Sequence, residues 1–175
     1  MDPHVNLQPV RSAEQIAELA LLAEGIWREY FSGMISEELI EHVLATVQSA
    51  EGIAAQITEG YQYFFIRLGD ELCGYFAFRV LPDKPVLFLS KLYIVRSSRG
   101  RGLGKAVLDY AERRAREADC RSITLTVYQG NTSAVDFYRR QGFCLKEEIE
   151  RDFGNGFTAG DFVMEKSLTR GEREE

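Results

Sequence analysis

Residues 86–128 constrain this chain more than any other stretch. They read VLFLSKLYIVRSSRGRGLGKAVLDYAERRAREADCRSITLTVY. Residues 86–95 form an apolar, branched run that predicts a strand. Leu103, Val107, Tyr110, Ala111, Arg114, Ala115 and Ala118 then recur at helical spacing, with Arg113, Arg116 and Glu117 on a solvated opposite face. Residues 122–128 predict a second strand. A strand, a helix and a strand joined this closely form a right-handed crossover, which sets its two strands parallel. Gly100, Gly102 and Gly104 sit at the strand-to-helix junction of that unit.

On either side the patterns are those of hairpins and short helices. Residues 5–10 predict a short strand. Ser12-Ala-Glu-Gln has the capping-box form. Ile16, Leu19, Ala23, Ile26, Trp27 and Tyr30 continue it as a helix, broken at Phe31-Ser32-Gly33-Met34. Ser36 caps a second helix, with Leu39, Ile40, Val43, Leu44 and Val47 on one face. Residues 50–60 predict a further short helix. Residues 61–68 and 72–81 form a hairpin across Gly69-Asp70. Residues 131–141 predict a short helix stopped by Gly142. Two final strands, 143–153 and 157–168, join through Gly154-Asn155-Gly156, where Asn-Gly tolerates positive φ. Helices alternate with strands, and hairpins flank the series. The fold class is therefore α/β (α+β), with a mixed, mostly antiparallel central sheet flanked by helices. The chain's 175 residues suffice for one domain with its own core, and residues 169–175 read as a disordered tail.

Glycine weakens helices and strands, so three glycines at a junction need a reason. The first amides of a helix have no intrahelical partner, and the helix dipole favours an anion there. Without side chains in the way, a phosphate can approach that backbone. A P-loop would require Gly at 99 and Ser or Thr at 106, where this chain has Arg99 and Ala106. A dinucleotide fingerprint would require Gly at 105, where it has Lys105.

What remains is Arg99-x-x-Gly102-x-Gly104. It resembles the pyrophosphate-binding loop of the GNAT superfamily of N-acetyltransferases, Arg/Gln-x-x-Gly-x-Gly/Ala, which follows a central strand and opens a helix. A second stretch, residues 124–143, reads TLTVYQGNTSAVDFYRRQGF. It resembles that family's Asn-x-x-Ala-x-x-Phe-Tyr-x-x-x-Gly-Phe segment, matched by Asn131, Ala134, Phe137, Tyr138, Gly142 and Phe143. Within the superfamily the chain looks most like the bacterial polyamine or diamine acetyltransferases. The grounds are Trp27, Tyr30 and Phe31, the Tyr-x-Tyr-Phe-Phe-Ile run at 61–66, and the closing residues from Asp161. The resemblance covers residues 60–168 closely and the first 60 by pattern.

The resemblance implies a single acetyltransferase domain over residues 1–175. Residues 1–60 are its helical substrate side and 61–168 its cofactor-binding core, with a parallel strand pair splayed at the cofactor site. Acetyl-CoA is the implied co-substrate and the amine of a small molecule, such as a polyamine, the acceptor. The implied cofactor-binding set is Arg99, Gly100, Arg101, Gly102, Leu103, Gly104 and Lys105 for the pyrophosphate, Leu92 and Ile94 for the pantetheine arm, and Asn131 from the far side. Tyr138 is the implied catalytic residue, as acid or hydrogen-bond donor to the leaving sulfur, and the Leu92 N–H the oxyanion donor. Arg139 or Arg140 is equally a ribose-phosphate ligand or a plain surface residue. Many relatives carry a Glu on the central strand where this chain has Phe88 or Ser90. The base is therefore open between water held by Ser90 or Tyr128, a carboxylate from the N-terminal helices, and Asp161, for which a surface or turn position is the commoner explanation. Trp27, Tyr30, Phe31 and Met34 can wall an amine pocket, although core packing explains the first two as well. Glu29, Glu37, Glu38 and Glu41 read as a solvated face.

Composition narrows the partners. A net charge of −6 argues against a nucleic-acid binder and is compatible with a cationic small substrate. No run of apolar residues is long enough to span a membrane, and the first ten residues lack a secretory pattern. Cys73, Cys120 and Cys144 read as buried thiols of a cytoplasmic protein, and neither His4 nor His42 has metal-ligand spacing. No metal is expected, and a homodimer is left open. Three alternatives stand: a protein or peptide N-terminal acetyltransferase, a non-catalytic acyl-CoA-binding regulatory module, and a nucleotide-phosphate binder using the same loop.

Overall fold

A computed structural model describes residues 4–168, so the tail expected to be disordered, 169–175, lies outside the described residues. The elements are β1 (Val5–Pro9), α1 (Ala13–Phe31), α2 (Glu37–Ala45), α3 (Ala50–Thr58), β2 (Gln62–Leu68), β3 (Glu71–Val80), β4 (Val86–Ile94), α4 (Leu103–Glu117), β5 (Ser122–Tyr128), α5 (Thr132–Arg140), β6 (Cys144–Gly154) and β7 (Phe157–Ser167). They build one seven-stranded sheet in the order β1-β2-β3-β4-β5-β7-β6. Every neighbouring pair is antiparallel except β4 and β5, the two strands of the crossover.

Helices cover both faces of the centre of the sheet, which explains why β2 and β3 read as continuous apolar runs rather than alternating ones. Toward α4, Phe64 stacks on Phe76 and Phe78 with ring centroids 4.8 and 5.7 Å apart, above Val107 and Ala111. Toward α1 and α3, Tyr63, Phe65, Tyr75 and Ala77 pack on Leu19, Ala23 and Ile53. The expected capping box at Ser12 and Gln15 starts α1. Cys73 and Cys120 are buried as expected, but Cys144 is exposed. It begins β6 at the sheet edge, where residues 144–148 are exposed.

One irregularity positions the site. Ala77 pairs with Lys91 and Phe78 with Leu89, so Ser90 has no partner on β3. This bulge inserts one residue and reverses the alternation of faces. Leu87 and Leu89 point toward α4 before it, and Leu92 and Ile94 do so after it. Lys91 and Tyr93 are thereby turned toward the N-terminal helices. The β4–β5 ladder runs only from Val86↔Ser122 to Leu89↔Leu125 and ends at the bulge. Beyond it β4 and β5 splay apart, and β7 continues the sheet on the far side of β5.

Candidate active site

The splay opens into a cavity of about 500 Å³. At one end lie Gly100, Gly102, Leu103, Gly104 and Lys105 at the start of α4, and the middle is edged by Leu92 and Ile94 of β4 and by Asn131, Ala134 and Tyr138 around α5. The other end is walled by α1, α2 and the β6–β7 hairpin.

The α4 terminus differs physically from the other helix starts. Ser12, Ser36, Ser49 and Asn131 each accept a bond from the first turn of the helix they precede, whereas Gly102 offers α4 no side-chain cap. The first α4 amide to reach a carbonyl is Ala106 N, 3.1 Å from Gly102 O. The amides of Leu103, Gly104 and Lys105 precede it, where an anion is the natural acceptor. The glycines do two different jobs. Gly100 and Gly102 have φ of +75° and +77°, and a Cβ on either would meet nothing within 4 Å. At Gly104 a Cβ would lie 2.9 Å from the Phe137 ring, so this glycine admits α5 rather than a ligand. Gly102→Val should therefore cost backbone strain of about 1–2 kcal/mol and crowd the amides. We expect coenzyme A to bind about five- to thirtyfold more weakly in calorimetry, because a relaxed loop must regain that strained conformation to present its amides and 1.4 kcal/mol is tenfold.

The charged residues of the loop are already engaged. Arg99 Nε donates to Ile94 O at 3.0 Å, and its guanidinium lies 4.6 Å over the Tyr30 ring. Arg101 pairs with Glu71 at 3.3 Å and Lys105 with Asp109 at 2.9 Å. Asn131 caps α5 through Oδ1, which also accepts the Tyr30 hydroxyl at 2.5 Å. This contact ties α1 to α5 across the cavity. Arg139 and Arg140 are exposed, with Arg139 3.9 Å from Asp136.

Tyr138 is 8% exposed and lines the cavity. Burial, with Tyr93 and Tyr30 nearby, raises its hydroxyl well above the ordinary tyrosine range. Burial also pushes the Tyr93 hydroxyl up to about 12, in the fields of Arg151, Asp161 and Tyr30. Tyr30, Tyr93, Tyr138, Arg151 and Asp161 all line this cavity. Asp161 corrects the expectation of a surface or turn position. It is 3% exposed, opposite Tyr128 in the β5–β7 ladder, and burial raises its carboxyl above the usual range against the opposing pull of Arg151. Ser90, on the bulge, and Tyr128 line the same cavity. Trp27, Tyr30 and Phe31 line it too, while Met34 lines an adjoining outer groove. Glu29, Glu37, Glu38 and Glu41 are exposed, Glu41 pairing with Arg28. His42 Nε2 meets Phe153 O at 2.6 Å, which ties α2 to the β6–β7 hairpin.

Lys91 was not anticipated. Its ammonium donates to Gln56 Oε1 at 2.6 Å and lies 5.2 Å over the Tyr63 ring. Burial, with Arg151 adding repulsion, lowers it to about 7 from 10.5. Below pH about 7 both folded and unfolded chains hold this proton, and the folded one carries the full desolvation cost. Between there and 10.5 the unfolded chain keeps the proton longer, so stability rises with pH. Denaturant titrations should show Lys91→Met removing a rise that approaches about 1.4 kcal/mol per pH unit, the slope for one proton.

A bulged, splayed parallel pair leading to a glycine-capped helix defines an acyltransferase-type cofactor cleft. The chain belongs to the acetyltransferase (GNAT) family, whose model matches residues 23–143. It is 24% identical over 164 residues to an uncharacterised N-acetyltransferase of the pepI 3′ region in Lactobacillus delbrueckii subsp. lactis, covering 90% of this chain and 94% of that one. It is 26% identical over 160 residues to a spermidine N(1)-acetyltransferase of Thermoplasma acidophilum, covering 89% and 92%. Its fold matches the crystal structure of PaiA N-acetyltransferase from Thermoplasma acidophilum in complex with coenzyme A, at a TM-score of 0.77 and 22% identity over 94% and 99% of the two chains. Membership of this family makes the chain an acetyl-CoA-using acetyltransferase. The residues present fit that coenzyme: open amides at Leu103 to Lys105 suit its diphosphate, and the unpaired edge of β4 suits its amide-bearing arm.

Proposed function

We propose that the protein transfers an acetyl group from acetyl-CoA to the primary amine of a small molecule. The observation that carries this is the placement of Tyr138 and Asp161 in one cavity with the open α4 terminus. When bound, the coenzyme supplies an acetyl thioester, an electrophile. The chain's residues do the rest. The amides of Leu103, Gly104 and Lys105 hold the diphosphate, and the β4 edge at Leu92 and Ile94 aligns the arm. A donor at Leu92 faces the carbonyl oxygen as it gains charge, a contact of a kind worth about 2.7–4 kcal/mol of barrier.

An alkylamine arrives protonated, since its pKa is about 10.4. Asp161 attracts the ammonium and takes its proton, which frees the nitrogen pair to bond to carbon as the carbon–sulfur bond breaks. Tyr138 stays protonated at neutral pH and presents its hydroxyl to the departing thiolate. A thiol has a pKa of about 8.5, below that of this buried phenol, so Tyr138 serves chiefly as a hydrogen-bond donor to sulfur.

The name of the Thermoplasma spermidine enzyme supports an amine acceptor and makes a polyamine the second reading within this activity. The test is release of free thiol from acetyl-CoA in the presence of a panel of amines. Acetyl transfer to at least one small amine, with slower transfer to peptides, supports the proposal. Binding of coenzyme A with no transfer to any amine would favour the regulatory-module alternative, and tighter binding of ATP than of coenzyme A the nucleotide binder.

A further inference from the structure

The acceptor end of the cavity has the wrong charge for a polycation. Among the described residues, Asp161 is the one carboxylate lining the cavity; of the four basic side chains that line it, Arg99 and Lys105 belong to the α4 end, and Lys91 and Arg151 stand on β4 and β6. The acidic residues of α1 and α2 that might have drawn a polyamine inward are on the outer surface. Glu150 lines the adjoining outer groove rather than the cavity itself.

Arg151 and Asp161 share one face of the β6–β7 hairpin. Asp161 stands opposite Ile149, and Arg151 is two residues further along β6. That diagonal lets their side chains meet above the sheet. Arg151 Nη1 lies 3.6 Å from Asp161 Oδ2, and the guanidinium rests 4.7 Å over the Phe153 ring. The two ends of the pair differ sharply: the Asp161 side chain is 4% exposed and the Arg151 side chain 45%. A guanidinium has five donors in a planar fork matched to a carboxylate, and one contact at 3.6 Å uses little of that capacity. Next to this pair the wall is apolar, made by Trp27, Phe31, Leu39, Val43, Tyr93 and Phe153.

We propose that the acceptor is an amino-acid-like molecule, with a primary amine, a carboxylate a few bonds away and an apolar body, and that Arg151 selects it by binding the carboxylate. This rests on the acetyl-transfer function proposed above. In the complex the acceptor splits the Arg151–Asp161 pair, its ammonium going to Asp161 and its carboxylate to Arg151, so no buried charge is left alone. The apolar body fills the wall beside Tyr93. A diamine would instead hold its second ammonium against Arg151, and like charges brought together in a partly buried site are disfavoured. Arg151 is thus a specificity-determining residue.

Matched acceptors test this directly. Phenylalanine is set against phenethylamine, and β-alanine against propylamine and 1,3-diaminopropane, with thiol release as the readout. The carboxylate-bearing member of each set should have kcat/KM about tenfold or more above its partners, the effect of a charge-assisted hydrogen bond. Arg151→Gln should abolish that preference, and Arg151→Glu should invert it in favour of the diamine, each with coenzyme A affinity unchanged in calorimetry. Intact coenzyme A binding shows that the variants fold. A wild-type preference for the diamine, or a carboxylate preference that survives Arg151→Glu, overturns the proposal and leaves acetyl transfer to amines standing. Failure to acetylate any amine overturns that function itself, and this proposal with it.

Discussion

Tyr138→Phe should lower kcat by about a hundredfold, the lower bound for losing a positioned hydrogen-bond donor to developing charge, while the affinity for acetyl-CoA stays within a factor of about two, as expected for an interaction made only in the transition state. The ring itself is structural. It packs on Phe143 at 5.6 Å and beside Phe137 at 5.3 Å, within the core against α4. Phenylalanine preserves all of that packing and removes only the hydroxyl. Among the described residues no hydrogen bond is formed by that hydroxyl, so its loss orphans no protein partner and leaves stability near the wild-type value. A fall in kcat with KM and melting temperature held therefore assigns the loss to the chemistry. Equal turnover by the variant would reduce Tyr138 to a core aromatic and leave the departing sulfur without a donor. The substitution also separates an enzyme from a regulatory module, because a module has no kcat to lose.

The elements that were legible in the sequence are those whose cause is local. Ser12 and Gln15 name a capping box within four residues, Asn155 and its flanking glycines name a tight turn, and the 86–128 pattern names a crossover. The parallel pair follows from that crossover alone. The parts that were not legible depend on pairing between distant strands. Nothing in the residues around Ser90 marks it as the bulge, because the bulge exists only relative to Ala77 and Phe78 on β3. The insertion of β7 between β5 and β6 depends on which strand of the last hairpin docks, and that choice buries Asp161. A signal for Lys91 was present and was missed. It lies between Leu89 and Tyr93 in a strand that helices cover on both faces, so an alternating pattern could not place it in solvent. The loop arginines show the converse. Arg99 fits the family motif by position, yet it turns back on Ile94 and Tyr30 and shapes the loop rather than standing free over it.

Asp161→Asn should lower kcat by about a hundredfold or more, the range for removing a general base, and should do so without weakening the fold. The two outcomes share one cause. Burial raises the Asp161 carboxyl above its unfolded value, so the folded chain holds this proton more tightly than the unfolded one. Such a group contributes stability at low pH and loses it as pH rises through the folded value; once ionised, it is a net cost. Asparagine mimics the protonated form and escapes that cost, while Arg151, with 45% of its side chain exposed, is solvated when its partner loses charge. Denaturant midpoints at neutral pH should therefore be equal or higher in the variant. Activity responds in the opposite sense. A base must be ionised to accept a proton, so wild-type kcat should rise with pH along an acid limb lying above the ordinary carboxylate value of about 3.9. That limb should vanish in Asp161→Asn, leaving a low, flat rate across the same interval. An unchanged limb in the variant would move the base elsewhere, and Lys91, a buried group of the cavity lowered to about 7, would be the next residue to replace.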